Sequence, residues 1–438
     1  MFTATWVVTG GGISTSPLPF YLMALTGSWL LGYTLTHGGA AAWQRMDITA
    51  KLATGLFCLL PLLQCIPLPP TIWHELPGRS LTVETLSLVG RAQAWHPITL
   101  TFEATFKTFL LSLWLMGLLL AVICLSAKEQ RALFALLLAL GALHIAIGIT
   151  QLATHGSLLF YSHTQGNFLL GLFANKNHSA LFIATLFPIG YFVLLNGRDW
   201  EARHLPITAA ACLLLFAMLI LTFSRAGFVL GLIAFAFVAL LAARWRLGRT
   251  GGYIALATML VLVLLVVLAS TNIAMQSFGR FAVVGDDPRW LFWQWSWDLV
   301  PIYFPAGSGI GSFPEVFQVL EHLEWVKPTY LNHAHNEYLE QLIEIGIAAP
   351  ILWVSVAVML TVALRRVWRR RTRSSGRLAL AAAVIVFLVF IHSAFDYPLR
   401  RPGLAVVFVI ALGALLRGAV KEKFVAKLEP VCEHAPNV

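Results

Sequence analysis

The chain has 438 residues, of which 58% are hydrophobic and only 11% are charged, and its mean hydropathy is +0.78. Soluble domains carry roughly 25% charged residues, so this composition excludes an ordinary soluble protein. The formal net charge is +10 at pH 7. We attribute that charge to membrane topology and not to nucleic-acid binding, because the basic residues gather in short connections between apolar segments.

Apolar runs of about 20 residues recur along the chain and predict transmembrane α-helices, since only helices and closed barrels satisfy their backbone in lipid. Barrel strands would alternate apolar and polar residues, and these runs do not. We therefore expect an all-α integral membrane protein, a single polytopic domain over 1–438 with about 11–12 helices. The predicted spans are 20–37, 51–68, 104–126, 130–152, 178–196, 206–223, 226–243, 253–270, 346–364, 379–396 and 403–418, and residues 1–19 could hold one more.

Basic residues predict the orientation of these spans. The connection after the ninth span carries seven arginines between Arg365 and Arg377, and the other basic connections alternate with it correctly. Short loops rich in Lys and Arg stay in the cytoplasm. The long hydrophilic loop at 271–345 is then expected on the outer face, with nine acidic residues, three basic ones and short helices of its own.

Polar residues at the outer ends of spans are candidates for binding. Arg225 lies where the sixth and seventh spans nearly touch, and we interpret it as functional, although an arginine at a membrane boundary can simply snorkel. Arg289 follows Asp286 and Asp287, to which it could instead form a structural salt bridge.

Two further polar groups have both a functional and a structural interpretation. Asp396 could pair with Arg400 or Arg401 at the mouth between the tenth and eleventh spans. Lys176 and Asn177 stand at the outer start of the fifth span, where such residues often only cap a helix.

The segment that closes the long loop contains a candidate catalytic histidine. His335 is expected to start a helix, with Leu339, Leu342 and Gly346 on the same inward face. An imidazole can accept a proton from a hydroxyl near neutral pH, and arginines bind phosphate oxygens in a bidentate fork. His333 and His335 hint at a metal, but no third ligand has suitable spacing, so no metal or cofactor is predicted. The Gly-rich stretch 307–312 is expected to be a flexible turn, because a cofactor loop would need a preceding strand.

At these residues the chain resembles the bacterial O-antigen ligase family. His335 and Asn336, followed nine residues later by Gly346, fit the family pattern H-[NSQ]-x9-G-x-x-[GTY] except at its last position, which is Ala349. The resemblance extends to Phe-Ser-Arg-Ala-Gly at 223–227, to Asp-x-Arg-x-x-x-Trp at 287–293 and to Gly-x-Gly at 309–311. It covers roughly 170–400.

The resemblance implies a metal-independent, inverting membrane glycosyltransferase of the bacterial inner membrane, with its active site on the periplasmic face. The implied donor is a glycan on undecaprenyl diphosphate, and the acceptor is a hydroxyl of lipid A-core or of a growing polysaccharide. By position, His335 resembles the catalytic histidine, Arg225 and Arg289 resemble the arginines that hold the diphosphate, and Asn336 orients His335 or a sugar. The remaining candidates for supporting roles are His333, Arg280, Asp396, Arg400, Arg401, Lys176 and Asn177.

Ligases, O-antigen polymerases and exopolysaccharide polymerases share these motifs, so the polymerase alternative stays open beside the ligase. A transporter is a further alternative from another class. It would carry charges near the bilayer midplane, whereas the charges of this chain gather at the outer ends of its spans.

Overall fold

The computed structural model describes residues 25, 27–32, 34–156, 158–160, 167–195, 204–242, 289–321, 326, 331–371 and 373–420. In these ranges the regular structure is helical apart from one antiparallel pair of two-residue strands, β1 (Pro67–Leu68) and β2 (His96–Pro97). The predicted class, an all-α integral membrane protein, is confirmed.

The first half of the described chain contains a π-helical turn (Leu35–Gly39) and nine α-helices. These are α1 (Ala40–Arg45), α2 (Ile48–Gln64), α3 (Pro70–Trp73), α4 (Ser80–Leu88), α5 (Phe102–Cys124), α6 (Ala127–Ala153), α7 (Lys176–Leu195), α8 (His204–Leu221) and α9 (Arg225–Ala242). The second half contains α10 (Arg289–Tyr303), α11 (Phe313–Leu320), α12 (Glu337–Ile345), α13 (Ala348–Arg369), α14 (Ser374–Ser393), a 3-10 turn (Pro398–Arg400) and α15 (Pro402–Ala419).

Six helices of the described ranges are long and apolar enough to cross a membrane, namely α5, α6, α7, α13, α14 and α15. The shorter apolar helices α2, α8 and α9 lie at three other predicted spans. Nine predicted spans therefore coincide with helices whose ends differ by a few residues. The predicted span 253–270 and residues 1–19 lie outside the described residues, and the predicted span 20–37 lies only partly within them.

The core of the bundle is built by α7, α14 and α15. The apolar window of α15 is 83% buried and that of α7 is 78% buried, against only 17% for α13. Small residues allow close approach, as is usual between membrane helices. A Cβ at Gly413 of α15 would lie 2.7 Å from Val122 of α5, and one at Gly227 of α9 would lie 2.1 Å from Ala180 of α7. The starts of α7, α9 and α15 meet the end of α14 at one end of this core.

Described residues between 289 and 345, in the long connection between α9 and α13, cover that end. They form the short helices α10, α11 and α12, as expected for the loop. The Gly-rich turn between α10 and α11 is packed on both sides, unlike the flexible turn expected from the sequence. Gly309 has φ of 108°, and a Cβ there would lie 2.0 Å from Thr99 Oγ1, while one at Gly307 would lie 2.3 Å from the carbonyl oxygen of Glu344. Only glycine fits such positions.

Candidate active site

A buried carboxylate, Asp396, lies at the centre of the polar groups that meet at this end of the bundle. It follows α14 and is completely buried. The backbone N–H of Tyr397 donates to its Oδ1 at 2.9 Å, and the Asn177 amide donates to its Oδ2 at 2.8 Å. The same Asn177 accepts a hydrogen bond from Ser224 Oγ at 2.8 Å. Asn177 therefore joins the starts of α7 and α9 to Asp396.

Two imidazoles and one guanidinium face the Asp396 carboxylate. His335 Nδ1 lies 3.4 Å and His178 Nε2 lies 3.5 Å from Oδ1, and Arg289 Nη2 lies 3.8 Å from Oδ2. Burial by itself would raise the pKa of Asp396, but the two imidazoles outweigh it, and this pKa is held well below its usual range. The carboxylate is therefore ionised at neutral pH.

His335 does not lie on a helix, which corrects one expectation from the sequence. Its φ is 52°, and α12 begins only at Glu337. Asn336 is the N-cap, because its side chain accepts from the backbone N–H groups of Tyr338 and Leu339 at 3.1 Å each. The predicted inward face shared by His335 with Leu339 is therefore wrong, and the left-handed turn aims the imidazole at Asp396.

The two ring nitrogens of His335 have different surroundings. Nδ1 is enclosed beside Asp396, whereas the side chain as a whole is 20% exposed. The exposed part of the side chain therefore lies away from Nδ1. A carboxylate beside one ring nitrogen is the arrangement that lets an imidazole act as a general base through the other nitrogen.

Of the two pairings considered for Asp396, the one with Arg400 is not formed in the described structure. Arg400 contacts no oxygen of Asp396; its Nε lies 3.2 Å from Glu340 Oε1, and its two terminal nitrogens bind Glu344 at 3.3 and 2.5 Å. Arg401 stacks over the Tyr397 ring at 4.9 Å. The α12 carboxylates attract Arg400 because they are completely buried and need a cation nearby.

Glu340 also binds the turn that contains His333 and His335. Its Oε1 lies 2.8 Å from His333 Nδ1, and its Oε2 accepts from the Ala334 N–H at 2.9 Å. Burial raises the pKa of Glu340, but Arg400 and His333 outweigh this and lower it to about 2. His333 therefore supports the turn and does not face Asp396 in the way His335 does.

Four helices begin with a cation at this end of the bundle. Lys176, Arg225 and Arg289 are the first residues of α7, α9 and α10, and Arg401 is the N-cap of α15. A helix N-terminus already carries partial positive charge, so a cation there costs stability unless an anion is near. Lys176 lies over the Phe168 ring at 4.1 Å, and Arg280 lies outside the described residues.

Sequence reasoning named most of these residues but missed two groups. His178 was not named as a candidate, and neither of its ring nitrogens has a hydrogen-bond partner within the described structure. The three glutamates of α12 were counted only as loop charge. Their spacing at 337, 340 and 344 places them on one helix face, and this pattern in the sequence could have identified them as a group.

Comparison with known proteins identifies a family match in this part of the chain. Residues 210–354 match the family model for O-antigen ligase, a range that includes Arg225, Arg289, His335 and Asn336 and stops short of Asp396. No curated protein matches the chain. Residues 210–354 are therefore similar to the O-antigen ligase family, the family that the resemblance at His335, Arg225 and Arg289 predicted.

Proposed function

We propose that the protein transfers a glycan from undecaprenyl diphosphate to an acceptor sugar hydroxyl, as an O-antigen ligase that acts on lipid A-core. The observation that carries the proposal is His335 backed by the Asp396 carboxylate, next to helix starts that carry cations, in a chain that matches the O-antigen ligase family. Placement in the bacterial inner membrane, with this end of the bundle in the periplasm, is part of the proposal.

The donor is held through its diphosphate. Arg225 and Arg289 supply planar forks for phosphate oxygens, and each begins a helix whose N–H groups also favour an anion. These groups stabilise the charge that develops on the diphosphate as it leaves. No nucleotide or metal is needed to make the diphosphate a leaving group, so the proposed reaction is metal-independent.

The acceptor is activated by His335. Nε2 takes the proton of the acceptor hydroxyl while the hydroxyl oxygen attacks the anomeric carbon of the donor glycan. The new C–O bond forms as the bond from the anomeric carbon to the phosphate oxygen breaks, and the electron pair leaves with the diphosphate. Asp396 stabilises the imidazolium that results. Direct displacement inverts the anomeric centre.

The lipopolysaccharide of a deletion strain tests this function. Loss of every O-antigen band on the core, with undecaprenyl-linked polymer retained, is the outcome expected of a ligase. A core that carries a single repeat unit would instead identify a polymerase. Substrate flux through proteoliposomes, without glycan transfer by the purified protein, would identify a transporter.

The metal independence has its own test. Purified protein should transfer glycan at the same rate with and without excess EDTA. Loss of transfer in EDTA, restored by a divalent cation, would reject this part of the proposal.

A further inference from the structure

Glu337 is a completely enclosed carboxyl group whose two oxygens both bind the segment that carries Asp396. The residue is only 2% exposed. Oε2 accepts from Ser393 Oγ at 2.7 Å, and Oε1 accepts from the Leu399 backbone N–H at 2.7 Å. Ser393 and Leu399 are three residues before and three residues after Asp396, so Glu337 ties both sides of that turn.

The same residue stands two positions after His335 in the chain. Asn336 between them is fixed as the N-cap of α12, so the backbone from His335 to Glu337 is held by the start of that helix. His335 and Asp396 touch at 3.4 Å, yet they come from elements far apart in sequence. A short brace between those elements would set the distance between the two side chains.

We propose that Glu337 is a positioning residue, which sets the distance between His335 and Asp396 by holding the Asp396 turn against the start of α12. This rests on the proposed function, in which His335 is the base and Asp396 its partner. Glu337 itself touches no reacting atom and contributes only through these two residues.

The cost of burying this group supports a specific role. A buried carboxyl group costs free energy unless its polar atoms are satisfied, and an apolar residue of similar size would be cheaper at a position with no polar task. Glu337 has no salt bridge in the described structure, unlike Glu340 and Glu344, which share Arg400. Its two hydrogen bonds are both directed at the Asp396 turn.

A glutamine at position 337 should preserve both hydrogen bonds to the Asp396 turn. Its amide oxygen can accept from the Leu399 N–H, and its NH2 can donate to Ser393 Oγ, because a hydroxyl is both donor and acceptor. Burial raises the pKa of Glu337 to about 7, so near neutral pH the group already loses part of its charge. Glu337→Gln is therefore a conservative variant, whereas Glu337→Ala removes both hydrogen bonds.

Tyr338→Phe is a matched control. Tyr338 lies next to Glu337 on α12 and also bonds α14, through its hydroxyl to the Phe390 carbonyl oxygen at 2.9 Å. That hydrogen bond is lost in the variant without touching the Asp396 turn. A general loosening of α12 from α14 would appear in both variants, whereas a change at Asp396 would appear only at Glu337.

The experiment measures kcat and KM of glycan transfer by purified protein. Glu337→Ala should lower kcat by about tenfold to a hundredfold with KM within about twofold, since small misplacements of catalytic groups have effects of this order. Glu337→Gln and Tyr338→Phe should stay within about threefold of wild type. If Glu337→Ala does not fold, Ser393→Ala is measured in its place, and its kcat should fall by about threefold to tenfold.

Three results would overturn the inference. The first is an unchanged kcat in Glu337→Ala, or in Ser393→Ala if Glu337→Ala does not fold. The second is a raised KM with kcat unchanged, and the third is a Glu337→Gln protein as slow as Glu337→Ala. The last would mean that the charge of Glu337 matters and not its two hydrogen bonds. An inactive wild-type protein would instead reject the proposed function, so the two failures are distinguishable.

Discussion

The salt bridges of Arg400 with Glu340 and Glu344 are predicted to stabilise the folded protein. In Arg400→Met the completely buried carboxylates of Glu340 and Glu344 lose their shared cation. Removing one partner of a buried ion pair costs about 3–5 kcal/mol. The two losses should not simply add, because one carboxyl group can take up a proton when the cation is gone. We therefore expect a loss of about 3–5 kcal/mol in the free energy of unfolding near pH 8.

The loss should depend on pH with a defined sign. Loss of Arg400 shifts the pKa of both carboxyl groups upward, from about 2 for Glu340, which keeps His333, and from about 7 for Glu344, against an unfolded value of about 4.3. The penalty then grows as pH rises above that value and shrinks as pH falls towards it. Thermal unfolding in detergent, followed by tryptophan fluorescence, should place the variant roughly 3–10 °C below wild type at pH 8, with a smaller gap at pH 5.5.

Arg365→Met is the control, because Arg365 is exposed on α13. It should unfold within about 1 °C of wild type, as surface substitutions usually do. Adding Glu340→Gln and Glu344→Gln to Arg400→Met should recover part of the loss. Equal unfolding temperatures for Arg400→Met and wild type at pH 8, or a gap that widens at pH 5.5, would show that Arg400 does not stabilise the buried carboxylates in this way.

Three other predictions concern the turn, the arginines and the orientation. Gly309→Ala should reduce folded protein in the membrane, measured by fluorescence size-exclusion chromatography, because a Cβ there has no space; a normal monodisperse yield would contradict the packing. Arg225→Lys and Arg289→Lys should each lower transfer by about tenfold or more at normal protein levels, since an ammonium cannot reproduce the fork, and full transfer by both would make the arginines structural. In a protein without native cysteines, Gln318→Cys should react with an impermeant maleimide in intact spheroplasts, and Ser375→Cys should react only after lysis. The reverse pattern would invert the topology.

The bundle could be predicted from the sequence because the bilayer fixes the length of an apolar helix. The predicted spans 104–126 and 403–418 correspond to α5 and α15 with ends differing by a few residues. Shorter spans such as α2 were found for the same reason. The boundaries differ because capping groups, and not hydropathy, decide where a helix begins.

The candidate site could be predicted in part. His335, Arg289, Asn177 and Asp396 were identified as polar groups at the outer ends of spans, and the structure brings them together. The backbone of His335 could not be predicted, because the cap at Asn336 starts the helix two residues after it and frees His335 to adopt a positive φ.

The partner of Arg400 could not be inferred from spacing. Asp396 lies four residues away in the chain, which favours a local pair, but tertiary packing places the buried α12 carboxylates closer. A polar helix face usually faces water, and the face with Glu340 and Glu344 is instead enclosed by the Gly-rich turn and the Arg400 segment. Only the folded chain shows which polar face is buried.

Two histidine variants test whether His335 is the general base. Purified His335→Ala should transfer glycan about a hundredfold to ten thousandfold more slowly than wild type while unfolding at a similar temperature, since that is the usual contribution of a general base. His333→Ala should keep at least about a tenth of the wild-type rate, because Glu340 retains the Ala334 N–H and Arg400. An active His335→Ala protein, with His333→Ala inactive, would contradict this role of His335 and assign the base to His333.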